Sequence, residues 1–404
     1  MRLPKLLAQS EEMLHLDPTR LGGRSDKALL ISVPKPGSTG SAFLDGARGI
    51  AALVVVLGHA KLMLLQDARS LPEITVLQKA FYFWTNLGAS AVMVFFVLSG
   101  FLVGGSVVRA IYRDAFDWRT YAIARASRLY TVLLPALVIG AAIDLLGTHF
   151  FGWASPYHQP HYGFMLPESI AGNINPGTFL GNLFFLQEVA VPTLGSNHPL
   201  WSLTNEGWYY VAFPLLALLV LGRDTGMRKM LLGVALALVL ILLPSEVSLL
   251  GIVWLMGAVV AALPRRDLPW WTAVGACALF ALCLIAASAG VIKGLAKDCL
   301  SGAVFAFLIY SSLPHMEGAA GPLLRRISGY LSNVSYTLYL VHMPMLVFVA
   351  ALIVGEGERF SPTLASCSMV IALLMLSLVY ASLIWVGFER NTPAVRKFLS
   401  RAMS

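Results

Sequence analysis

Ten stretches of the chain are apolar over nearly the length a helix needs to cross a bilayer, about 20 residues, and the polar residues gather between them. They fall at 44–65, 80–108, 129–148, 199–221, 230–244, 247–263, 270–290, 299–313, 330–353 and 364–388. The pattern predicts an all-α membrane protein of about ten transmembrane helices. An eleventh stretch, "GTFLGNLFFLQEVAVP" (177–192), is short and holds Gln187 and Glu188. It reads as an interfacial or re-entrant piece within the loop 149–198. The first run, 44–65, is too long for the apolar part of a signal peptide and is expected to stay as the first span.

The positive residues orient these spans. Arg109 to Arg128, then Arg223 to Lys229, Arg265 with Arg266, Arg325 with Arg326, and Arg390 to Arg401 form clusters that alternate with sparsely charged loops. The loops between hold Lys61, Arg69, Lys79, Lys293, Lys297 and Arg359. Because Lys and Arg collect on the cytoplasmic side, both termini are expected there. The loop 149–198 has no Lys or Arg but carries Trp153, Tyr157, His158, His161 and Tyr162. Those aromatics read either as an interface belt or as a sugar-stacking platform.

Composition agrees. The 404 residues are 57% hydrophobic and 12% charged, with a mean hydropathy of +0.74, which a soluble domain with a charged exterior does not reach. The net charge of +8 lies between apolar segments, with no basic run interleaved with aromatics. It therefore reads as topology, and nucleic acid is not an expected partner. The four cysteines form no CxxC pair, and no metal is expected. Residues 1–42 form a polar tail, expected to be partly disordered and cytoplasmic; 43–390 hold the spans, and 391–404 a basic cytoplasmic tail.

Ionisable residues inside spans are costly and read as functional, with structural pairing as the alternative. His59 lies about 22 Å up the first span, at 1.5 Å per residue, in a core about 30 Å thick. Asp144 reaches a similar height, Glu206 enters from the opposite side in "HPLWSLTNEGWYYVAFP", and His342 stands near this layer in "SYTLYLVHMPML". Depth follows from the sequence; azimuth does not. For Asp144 and His342 taken singly, a structural pair is the simpler reading. Grouped, the four would tune a histidine as a general base. Lower down, "DGAR" sets Asp45 and Arg48 at the first span's start, and Arg125 and Arg128 share one helix face. Arginines so placed are either positive-inside anchors or phosphate ligands. "FFVLSGFLVGG" holds a GxxxG, Gly100 and Gly104, that suits close helix packing within or between chains. Its Ser99 is not in a GxSxG elbow.

The stretches "FLDGARGIAALVVVLGHA", "VMVFFVLSGFLVGG", "YAIARASRLYTVLLP", "PLWSLTNEGWYYVAFPLL" and "SYTLYLVHMPM", in this order, resemble the acyltransferase 3 family of integral membrane acyltransferases. The resemblance implies a ten-span bundle in the bacterial cytoplasmic membrane. Such a bundle moves an acyl group, most often acetyl, from cytoplasmic acyl-CoA to a hydroxyl of an extracytoplasmic or lipid-linked glycan. Acyl-CoA is then a substrate, with no permanently bound cofactor. The resemblance makes His59 the catalytic base or acyl carrier, with Glu206 as a second catalytic residue able to orient or protonate it. It assigns Arg48, Arg125 and Arg128 to acyl-CoA, although the family's usual first arginine position falls on Ala124. Asp45, Ser99, Asp144, Trp201, Ser202, Tyr336 and His342 become supporting residues. The competing class is a polytopic transporter or flippase using the same buried groups as a proton or substrate path.

Overall fold

The computed structural model describes residues 33–152, 155–158, 166–355 and 357–402, and these are helical with only isolated β-bridges. Residues 1–32 of the polar tail, and the loop aromatics Trp153, His161 and Tyr162, lie outside the described residues. Helix α1 (Thr39–Leu64) starts behind Ser38, whose hydroxyl accepts from the Ser41 amide. The next crossing, Val76 to Tyr112, is broken into α2 (Val76–Thr85), α3 (Gly88–Ser99), a π-helical segment (Gly100–Gly104) and α4 (Gly105–Tyr112). Asp117 caps α5 (Trp118–Phe150). A short α6 (Pro176–Leu183) precedes α7 (Trp201–Leu221), α8 (Gly226–Leu242), α9 (Ser245–Ala262), α10 (Trp270–Ser288) and α11 (Gly294–Ser312). The chain closes with α12 (Pro322–Val354), α13 (Leu364–Gly387) and α14 (Thr392–Ala402).

Among the described residues, eight helical segments are long and apolar enough to cross a membrane. Helices α7 and α8 complete the expected ten positions without meeting that standard. The first turns of α7 carry Asn205 and Glu206, and α8 has only 17 residues. The third crossing is longer than expected, because α5 begins at Trp118 and takes Arg125 and Arg128 into the helix. The 177–192 stretch is not a crossing. Eight-residue α6 spans about 12 Å, after which Phe185 and Glu188 take left-handed φ of 58° and 62° and turn the chain back. Thr204 and Trp208 then donate to the Gln187 and Phe185 carbonyls, and Gln187 donates to the Leu200 carbonyl, strapping this loop to α7.

Helices α1 and α12 pack along each other at the centre, flanked by α3, α5 and α13, while α10 is largely exposed at the edge. The GxxxG packs within the chain. A Cβ on Gly100 would lie 1.9 Å from the Trp254 carbonyl oxygen, and one on Gly257 would lie 2.0 Å from the Val97 carbonyl oxygen. The π-helical segment and α9 therefore touch backbone to backbone. Gly100→Val is expected to overpack this crossing by at least about 1–3 kcal/mol. The check is loss of the monodisperse peak on detergent size-exclusion chromatography; a wild-type profile would show that the contact gives way.

Candidate active site

The histidine layer is built by His59, near the C-terminal end of α1, and His342, past the midpoint of α12. His59 Nδ1 lies 2.8 Å from His342 Nε2. His342 Nδ1 faces two carbonyl oxygens of its own helix, Leu338 at 3.0 Å and Tyr339 at 2.8 Å. Carbonyls only accept, so His342 Nδ1 carries the hydrogen and its Nε2 holds a lone pair. His59 Nδ1–H then donates to that lone pair, which leaves the lone pair of His59 on Nε2. The backbone of α12 thereby fixes the tautomer of a histidine on α1. His342 is fully buried, whereas His59 keeps some exposure.

Around the pair, Tyr339 sets its ring 5.9 Å from that of His342, and its hydroxyl meets Ser202 Oγ at 2.7 Å. Asn197 donates to the Leu340 carbonyl at 2.8 Å, which draws the turn before α7 against α12. His198, in that turn, is within electrostatic range of His59. Burial holds its imidazole below the ordinary value, with the Glu188 carboxylate opposing.

An arginine layer lies lower on the same helices. Ser332 of α12 donates to Asp45 at 2.8 Å and accepts from Arg48 at 3.4 Å. Arg125 stands over the rings of Tyr121 and Tyr210 at 5.8 and 5.7 Å, and Arg128 over Tyr336 at 5.6 Å. Arg128 pairs with Glu389 at 3.5 Å, and Thr337 donates to the other oxygen of that carboxylate. The Arg128 side chain is 42% exposed while that of Glu389 is 5% exposed, so the guanidinium is anchored from behind and open in front.

The four ionisable residues that the sequence sets near one layer do not all gather. His59 and His342 meet; Glu206 and Asp144 do not join them. Glu206 accepts from Ser99 at 3.1 Å and from the Tyr210 hydroxyl, and Ser99 in turn accepts from Trp254 Nε1 at 3.1 Å. Glu206 lies within electrostatic reach of Arg48 and Arg128 and has no bond to His59, so it belongs with the arginine layer and does not orient that histidine. Asp144 accepts from the Ser196 amide at 2.7 Å and the Ser196 hydroxyl at 2.8 Å. It is a fully buried pin that holds the loop before α7 to α5. Trp201 packs edge-on against Phe96.

Other placements differ from the sequence reading. Lys61 is not a loop residue; it is 5% exposed in the last turn of α1 and donates to Asn86 at 3.0 Å. Tyr157 is 2% exposed and stacks on Phe151, so it forms neither belt nor platform. Glu389, Ser332, Tyr121 and Tyr210 escaped the sequence reading. Only Glu389 left a signal there, as an acidic residue inside a basic cluster just past the last span.

The fold and its interior site define an integral membrane protein whose polar centre hangs on two long helices, a histidine pair at one height and arginines at another. Residues 41–384 match a family model described as an acyltransferase domain, and the chain belongs to the acyltransferase 3 family of membrane acyltransferases. It is 30% identical over 175 residues to acyltransferase MdmB of Streptomyces mycarofaciens, across 43% of this chain and 38% of that one. It is 27% identical over 153 residues to an uncharacterized protein of Haemophilus influenzae, across 38% of this chain and 58% of that one. Protein 2 in the picA locus of Rhizobium radiobacter is 29% identical over 167 residues, across 40% of this chain and 75% of that one. The first two matches thus span less than two thirds of those relatives. No solved structure matches significantly.

Proposed function

We propose that this acyltransferase moves an acyl group, most simply acetyl, from cytoplasmic acyl-CoA to a hydroxyl of an extracytoplasmic or lipid-linked glycan such as exopolysaccharide or lipopolysaccharide. The site's bacterial cytoplasmic-membrane setting, with both termini inside, rests on the positive-inside bias. One observation carries the reading. A histidine whose tautomer is fixed by a second, carbonyl-bound histidine stands about 16 Å along α1 from Arg48, by the rise of eleven residues. Arg125 and Arg128 receive the donor's phosphates, and the pantetheine arm rises along α1 and α12 toward His59.

The acceptor oxygen attacks the thioester carbonyl carbon as His59 Nε2 takes its proton. The imidazolium charge is shared through Nδ1–H to His342 and on to the Leu338 and Tyr339 carbonyls. The carbon–sulfur bond breaks, and the proton returns from Nε2 to the departing CoA sulfur. The acyl ester and free CoA thiol are the products. A transient acyl group on His59 Nε2 would use the same lone pair and the same hydrogen bond.

The test is proton NMR of the host's surface polysaccharide before and after mild alkali, in a deletion strain carrying wild type or His59→Ala at equal membrane levels. Base-labile acyl signal restored by wild type alone supports the reading. Equal signal in both removes His59 from the chemistry, and none in either redirects the search to another acceptor or to transport. Glu389→Gln adds a finer prediction. Losing the charge behind half-exposed Arg128 is expected to raise KM for acyl-CoA about two- to fivefold, matching roughly 0.5–1 kcal/mol, with kcat little changed. Steady-state thiol release in proteoliposomes reads it; an unchanged KM would detach Glu389 from donor binding.

A further inference from the structure

A cleft of about 290 Å³ opens at the arginine-bearing end of the bundle, between the α4–α5 turn and the α7–α8 turn. Tyr112, Asp114, Trp118, Arg223, Asp224 and Arg228 are among the residues that line it. Its aromatics are open to a ligand: Tyr112 is 60% exposed and Trp118 is 38% exposed. Arg228 pairs with Asp224 at 2.9 Å, but its side chain is 72% exposed, so this surface pair yields readily to a stronger anion. Asp114, held at φ 54° where the chain turns back between α4 and α5, brings a carboxylate to the same rim.

A run of side chains on α5 leads from the cleft to the arginine layer. Trp118, Tyr121, Arg125 and Arg128 recur at intervals of three and four, and so share one face of α5. Their contacts run up that face. Trp118 meets Tyr121 edge-on at 6.4 Å, Tyr121 lies under Arg125 at 5.8 Å, and its hydroxyl donates to the Tyr210 carbonyl at 2.9 Å. By helical rise, Arg125 stands about 10 Å and Arg128 about 15 Å above Trp118. His342 stands about 9 Å above Tyr336, the residue under Arg128. A pantetheine arm has roughly the length of four peptide units, about 14 Å extended. A pyrophosphate at Arg125 and Arg128 would therefore put the sulfur within reach of the histidine pair and leave the nucleoside at the cleft.

We infer that this cleft binds the 3′-phosphoadenosine end of the CoA donor, an inference that rests on the acyl-CoA reading above. Trp118 and Tyr112 offer ring faces to the adenine, Asp114 accepts from base or ribose donors, and Arg223 with Arg228 meets the 3′-phosphate. The alternative for exposed aromatics beside arginines is a membrane-interface belt, which would serve lipid rather than nucleotide.

The experiment measures binding of CoA, 3′-dephospho-CoA and 4′-phosphopantetheine to the full chain in nanodiscs. Wild type is compared with Trp118→Ala, Trp118→Phe and the double variant Arg223→Ala/Arg228→Ala, each confirmed monodisperse. Trp118→Ala is expected to weaken CoA about tenfold, the scale of one base-on-ring contact, while leaving phosphopantetheine unchanged, and Trp118→Phe is expected to restore CoA. The double variant is expected to erase the preference for CoA over its dephospho form. Wild-type affinity for all three probes in every variant overturns the inference while the donor reading stands. Failure of wild type to bind CoA overturns both.

Discussion

His59→Ala is expected to lower acyl transfer by about 10²–10⁴-fold, the range of a removed general base, while CoA binding at the arginine layer persists. The separation is expected because His59 and Arg48 belong to different clusters on α1. Arg48 is tied to Ser332 and Asp45, and His59 to His342. Single-turnover release of CoA thiol, with CoA affinity measured on the same preparation, distinguishes a lost base from a lost donor site. Transfer within a few-fold of wild type would leave the histidine pair without a chemical role.

His342 gives the second large effect. It is fully buried, and on the proposed mechanism it accepts from His59 Nδ1 and so keeps the reactive lone pair on Nε2. Fixing the tautomer is worth about 10⁴ where a carboxylate does it. Here the terminal acceptors are the neutral carbonyls of Leu338 and Tyr339. His342→Phe is accordingly expected to cost about 10²-fold in kcat. His342→Gln, whose amide oxygen can accept in place of Nε2, is expected to recover part of that loss. Phe and Gln variants of equal activity would mean that His342 merely fills space. A KM effect without a kcat effect would move it to substrate binding.

Much of this was legible in the chain. A histidine inside an apolar run has few reasons to be there, so His59 and His342 stood out, and the rise per residue placed both near one height. The pair Arg125 and Arg128 was legible because a three-residue interval repeats on one helix face. What the sequence withheld was azimuth and long-range partnership. Glu206 was expected at the depth of His59, yet it bonds to Ser99 and Tyr210 and lies within electrostatic reach of Arg48 and Arg128 in the arginine layer. Asp144, for which a structural pair was the simpler reading, is satisfied by Ser196, a partner fifty-two positions away that the sequence did not name. Glu389 reaches Arg128 only because α13 returns to the arginine end before α14 begins. Lys61 was misplaced for another reason. Charge suggests a loop, but Asn86, where the second crossing breaks, supplies its acceptor inside the bundle.

Helices α1 and α12 each carry one residue set for the arginine layer and one for the histidine layer: Arg48 and His59 on the first, Ser332 and His342 on the second. Two rigid rods packed side by side thus act as a ruler between the layers. On the acyl-CoA reading, a donor gripped by its phosphates always presents its sulfur at the same mark, whatever acyl group it bears. Discrimination among acyl chains then falls to the space beyond that mark, and a residue inserted between Arg48 and His59 would put the whole scale out of register.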